Sequence, residues 1–125
     1  MRTWTLSEAR AELDNVSAVI DAAREVAARI AQPTPPSNNG HGPSPNQEDT
    51  QAELADLLGE LGDQGIVVRN LDPGLVDFYA VAPSGHEYWL CWVYGEPELA
   101  WWHWTEDGFA GRTPVDQPPE GVPFA

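Results

Sequence analysis

Residues Glu87–Thr105, EYWLCWVYGEPELAWWHWT, decide how the chain folds. Two runs rich in aromatic and β-branched residues, Glu87–Tyr94 and Leu99–Thr105, flank the turn signal Gly95-Glu96-Pro97-Glu98. That pattern predicts a β-hairpin. Directly paired residues of a hairpin project to one face, and successive strand residues alternate between faces. A three-residue loop, Glu96-Pro97-Glu98, would set Cys91 opposite His103. A two-residue loop, Glu96-Pro97, would pair Cys91 with Trp102 and send His103 to the other face. The register decides whether the cysteine and the histidine can meet.

On the N-terminal side, Val76–Ala82 is a further strand, joined to Glu87–Tyr94 through Pro83-Ser84-Gly85-His86. With Ser84-Gly85 as the turn, Asp77 is expected opposite Trp92. Ile66–Arg69 is a short strand before it. The chain is expected to leave the sheet after His103 through Thr105–Arg112 and to end in an extended tail, residues 113–125.

The first half is helical. Leu6, Ala9, Leu13, Val16, Ile20, Ala23, Ala27 and Ile30 recur at alternating steps of three and four, one stripe along a helix reaching about Ala31. Thr5 and Glu8 form a capping box, with Trp4 just before it. At 1.5 Å per residue this helix is about 39 Å long. Gln32–Asn46 is rich in Pro, Gly, Ser and Asn, the composition of a mobile linker, and it contains His41 as a solvated loop histidine. Ser44, Pro45 and Gln47 then start a second helix, with Leu54, Leu58 and Leu61 on its apolar face. Gly62 and Gly65 are its candidate caps.

The expected architecture is a single α+β domain spanning residues 1–125. An antiparallel helical hairpin (1–64, linker 32–46) packs beside a three- to four-stranded antiparallel Trp-rich sheet (65–112). The longer first helix would overhang the second, so its uncovered seam is expected to serve either a homodimer through the first helix or docking onto the C-terminal half.

Charge and composition narrow the partners. Six basic residues, all Arg, face 20 Asp and Glu, for a net charge of −14. Such a surface repels phosphate backbones and anionic lipid, so nucleic acid and membrane are not expected partners. No apolar run approaches the roughly 20 residues of a membrane span. Met1–Ile20 carries Glu8, Glu12 and Asp14 and lacks the apolar stretch of a secretion signal. A single cysteine, Cys91, excludes an internal disulfide and fits a reducing, cytoplasmic setting. Abundant Ala without Lys hints at a bacterial source.

Five short motifs also carry a resemblance: LDPGLVDF (Leu71–Phe78), LCW (Leu90–Trp92), GE (Gly95-Glu96), WH (Trp102-His103) and GFAGR (Gly108–Arg112). In this order and spacing they resemble the bacterial domain-of-unknown-function family 2203, loosely over the whole chain and closely over Gly65–Arg112. Tyr79 stands where the family typically has Pro, and the Pro/Gly-rich linker interrupts its usually continuous helical region. The resemblance implies a shared fold and shared positions; it implies no activity.

Two functional classes follow from the residues. Asp77, Cys91, Glu96 and His103 combine carboxylate, thiolate and imidazole, a set that suits zinc or iron. No C-x-x-C or H-E-x-x-H spacing supports it, and no Walker, Rossmann or nucleophile-elbow motif occurs. Each residue also has a structural reading. Cys91 can be a small buried hydrophobe, His103 a core histidine bound to a carboxylate, Glu96 a solvated turn residue, and Asp77 a brace for Asp72-Pro73-Gly74. The second class is a ligand-binding or oligomerising module without metal or catalysis. There Trp92, Trp101 and Trp102 would line a small-molecule groove, and Arg112 would anchor an anion or brace the loop against Asp77 or Asp107.

Overall fold

A computed structural model describes residues 2–31 and 45–124. Most of the expected linker, and His41 within it, lies outside the described residues. Helix α1 spans Leu6–Ala31 and α2 spans Pro45–Asp63. Five strands follow: β1 Ile66–Asn70, β2 Leu75–Val81, β3 Glu87–Val93, β4 Trp101–Trp104 and β5 Thr113–Pro114. They form one antiparallel meander in the order β1-β2-β3-β4-β5. The fold is α+β with five strands rather than three or four. The extra one comes from the expected tail, where Thr113 pairs with Trp102 and the Val115 amide donates to the Ala100 carbonyl.

The helix ends form as the residues dictate. The Thr5 amide donates to Glu8 Oε1 at 3.0 Å and the Glu8 amide to Thr5 Oγ1 at 3.1 Å, so both halves of the capping box are made. Gly65 closes α2 in the left-handed region, φ 77°, where a side chain would be strained. Trp4 does more than brace the first turn. Its indole donates to the Gln64 carbonyl at 2.7 Å and meets Phe78 edge-on, which joins the start of α1 to the end of α2 and to β2.

The core lies between the helices and one face of the sheet. Val76, Phe78, Ala80, Leu90, Trp92 and Trp102 supply that face, and Leu6, Ala9, Val16 and Ile20 meet it from α1. The α1 stripe is thus covered by its own chain: among the described residues the exposed large hydrophobics are Val81 and Val122, neither of them on a helix. Arg10 Nε reaches the Leu99 carbonyl at 3.1 Å and Arg24 Nε the Leu71 carbonyl at 2.7 Å, and Tyr94 donates to Asp21. These bonds fix α1 across the sheet. Among the described residues no helix is long and apolar enough to cross a membrane.

Both hairpin registers differ from the expected ones. Asp77 pairs with Cys91, not Trp92, because three residues separate Ala82 from His86 and Gly85 takes φ 92°. The Ala82 amide bonds to the His86 carbonyl at 2.9 Å, closing a loop one residue longer than the Ser84-Gly85 turn. In the next hairpin Cys91 pairs with Trp101 and His103 with Trp89. This centres the connection on Glu96, a residue earlier than the three-residue loop would, and keeps Cys91 and His103 on one face.

Candidate functional site

The face of the sheet turned away from the helices carries Asp77, Tyr79, Trp89, Cys91, Trp101 and His103. An open face would leave these groups wet. Instead Asp77 is 2% exposed, Cys91 0% and His103 5%. Arg69 and Trp89 cover one side of them. On the other side stand Trp101 and Arg112.

Arg69 sits at an irregularity of the sheet. In the β1–β2 ladder Val68 pairs with Val76 and Asn70 with Leu75, so Arg69 is the extra residue of a bulge. Val67 pairs with Asp77, so strand alternation already sends Arg69 to the Asp77 face, and the bulge falls at that residue. Its Nε donates to Asp77 Oδ2 at 3.0 Å, and the guanidinium stacks over the Trp89 ring at 4.8 Å.

His103 Nδ1 lies 2.9 Å from the Trp104 carbonyl oxygen. Carbonyl and carboxylate oxygens only accept, so Nδ1 donates to Trp104 and, without metal, Nε2 carries a second proton toward Asp77. Nε2 stands 3.4 Å from Asp77 Oδ1. Burial acts to raise the Asp77 carboxyl, but hydrogen bonds from His103 and Arg69 outweigh it and hold the group below its ordinary value. The bond to Asp77 raises His103 above its ordinary value, against the opposing effect of burial. Cys91 is pushed up to about 12, by burial first and then by the Asp77 charge. Without a cation the thiol therefore stays protonated.

Asp77, Cys91 and His103 form the group of metal-ligating side chains among the described residues, their donor atoms all within 4.8 Å of one another. Glu96, the fourth expected ligand, stands outside that group. Its Oε1 accepts from the Val93 amide at 2.7 Å and from Arg112 Nη2 at 2.8 Å, so it pins the turn after β3. Arg112 pairs with Glu96 and lies over Trp101 at 4.9 Å.

Trp92 and Trp102, expected on a ligand groove, are core residues on the helix side of the sheet. Their indoles donate to the Glu96 and Gln117 carbonyls, at 3.1 and 2.9 Å. The alternation of strand residues sends both to the face that packs on α1. Only Trp101 of the three shares the face of Asp77.

A cleft of about 380 Å³ opens onto Asp77 and His103, lined also by Arg69, Leu75, Trp89, Thr105, Asp107 and Gly108. Arg69 and Trp89 escape a motif search. The only sequence sign of Arg69 is that it is one of two basic residues after Arg29. A second cleft, near 370 Å³, lies between Trp4, Val81, Tyr88 and Phe124 and is mainly apolar.

No curated protein and no solved structure matches the chain. The model of the family described as an uncharacterized conserved protein, DUF2203, matches residues 2–115. That match spans all five strands and both helices, and the chain belongs to this family of uncharacterized conserved proteins.

Proposed function

We propose that the chain binds one transition-metal ion, zinc in the first instance, through Asp77, Cys91 and His103, with its fourth position open to the cleft. The observation that carries this reading is the convergence of a buried carboxylate, thiol and imidazole within 4.8 Å. Zinc bound at 2.0–2.3 Å puts tetrahedral ligands about 3.4–3.7 Å apart. The Asp77–His103 separation of 3.4 Å is already that edge, and it is long for a charge-assisted hydrogen bond.

The surroundings support the same reading. The His103 Nδ1–H bond to a backbone carbonyl is the outer contact that orients a ligating imidazole. Arg69 holds the second Asp77 oxygen and leaves Oδ1 toward the centre. A small domain gains little stability from a buried ion network, which makes a functional role the better account of this one. Three protein ligands and an open position would let the ion polarise a bound water or carbonyl.

The test is metal content. Untagged protein reconstituted with zinc, dialysed and measured by plasma mass spectrometry should hold about one zinc per chain. Cys91→Ser and His103→Ala should each hold far less. Less than about a tenth of an equivalent of any transition metal in the wild type would leave Asp77, His103 and Arg69 as a structural network.

A further inference from the structure

Arg69 is bonded at one end only. Its Nε serves Asp77, while the side chain remains 42% exposed at the wall of the cleft. The Nη atoms, the pair that grips an oxyanion, thus belong to the part of the guanidinium beyond the Asp77 contact. The charges around the centre also add up in a particular way. A divalent ion, the Asp77 carboxylate and a Cys91 thiolate sum to zero, which leaves Arg69 and Asp107, one charge of each sign, on the cleft lining, with Arg69 bonded into the Asp77 cluster. Glu96 and Arg112 offset each other in their own pair.

Resting on the metal reading above, we propose that the cleft binds a small organic monocarboxylate, one oxygen on the metal and the other on Arg69. Single charge is the fitting choice. Asp107 lies on the cleft lining and the chain carries −14 overall, so the second negative charge of a dianion such as phosphate adds repulsion that Arg69 alone does not offset. Leu75 and Trp89 give the ligand an apolar wall, and Thr105 adds a hydroxyl. At about 380 Å³ the cleft is at the small end of ligand pockets, a size for a single ring or short chain.

Calorimetric titration of the zinc-loaded full chain with benzoate, acetate and inorganic phosphate tests this, with zinc content measured first. Benzoate should bind saturably and more tightly than phosphate. Arg69→Lys, which keeps the charge and loses the fork, should weaken benzoate at least about ten-fold. Asp107→Asn should tighten it about three-fold by removing a negative charge from the lining. A purely structural Arg69 would not produce this opposed pair of effects.

If the wild type takes up no zinc, the metal reading falls and this proposal with it. With zinc bound, three results overturn the carboxylate site alone: no saturable benzoate binding up to millimolar concentration, tighter binding of phosphate, or benzoate affinity unchanged in both variants. Should Arg69→Lys lose its zinc, Asp107→Asn still decides, since unchanged or weaker benzoate binding there contradicts the site.

Discussion

Asp77 and Cys91 are direct cross-strand partners in the β2–β3 ladder, and each is almost wholly buried on the sheet face away from the helices. That pairing puts a carboxylate against a thiol at the middle of a five-stranded sheet. His103 arrives beside them from β4, two residues beyond the Trp101 that faces Cys91. The relationship has consequences for titration, stability and metal binding.

Without metal, the Asp77–His103 pair should make stability fall on both sides of mildly acid pH. Asp77 is held below its ordinary value of 3.8, so its contribution is present above that value and lost as pH falls through the lowered one. His103 is raised above 6.5, so its contribution is full below 6.5 and lost as pH rises through the raised value. Melting of metal-free protein should therefore be highest between about pH 4 and 6.5. Zinc needs an unprotonated Nε2 and a thiolate, so its affinity should rise with pH and move the optimum upward. A melting temperature flat from pH 5 to 9, with and without zinc, would contradict this.

Gly74 should be far less replaceable than Gly85. Both have φ in the left-handed half, 101° and 92°. A Cβ on Gly74 would also sit 2.7 Å from Tyr94 Cβ, whereas one on Gly85 meets nothing within 4 Å. Gly85→Ala should cost about 1 kcal/mol, and Gly74→Ala at least about 2 kcal/mol, by urea denaturation. Equal costs would mean that backbone conformation alone governs both.

Glu96 should behave as a brace. Glu96→Ala removes the acceptor of both the Val93 amide and Arg112, a loss of about 1.5 kcal/mol for a partly buried charged contact. Zinc affinity should stay within about three-fold, because Glu96 bonds to none of the three ligands. Loss of zinc with unchanged stability would return Glu96 to the ligand set.

The start of α1 and the end of α2 were legible because they depend on local chemistry, while the expected Ser44 cap of α2 lies outside the described residues. Thr5 with Glu8, and Gly65 after α2, act within a few residues of their own position. Strand pairing was harder, since the parity of the Tyr94–Ala100 connection rests on contacts made only in the fold. The Glu96 carboxylate on the Val93 amide, the Gly95 φ of 99° and the Ala100–Val115 bond set it together. Strand β5 has just two residues, one a proline, and no periodic pattern can announce it. Asp77, Cys91 and His103 stood out as residue types with chemistry. Arg69 did not, because a lone Arg in a short strand carries no motif, and its place beside Asp77 follows only from the β1–β2 register that pairs Val67 with Asp77.

The central claim is that Cys91, together with Asp77 and His103, binds a metal, and cobalt(II) substitution reads that thiolate directly. Titration of the metal-free protein with cobalt should produce a near-ultraviolet thiolate-to-cobalt charge-transfer band that saturates at about one equivalent, and Cys91→Ser should abolish it. Saturating cobalt without that band, or with an identical band in Cys91→Ser, would contradict the account.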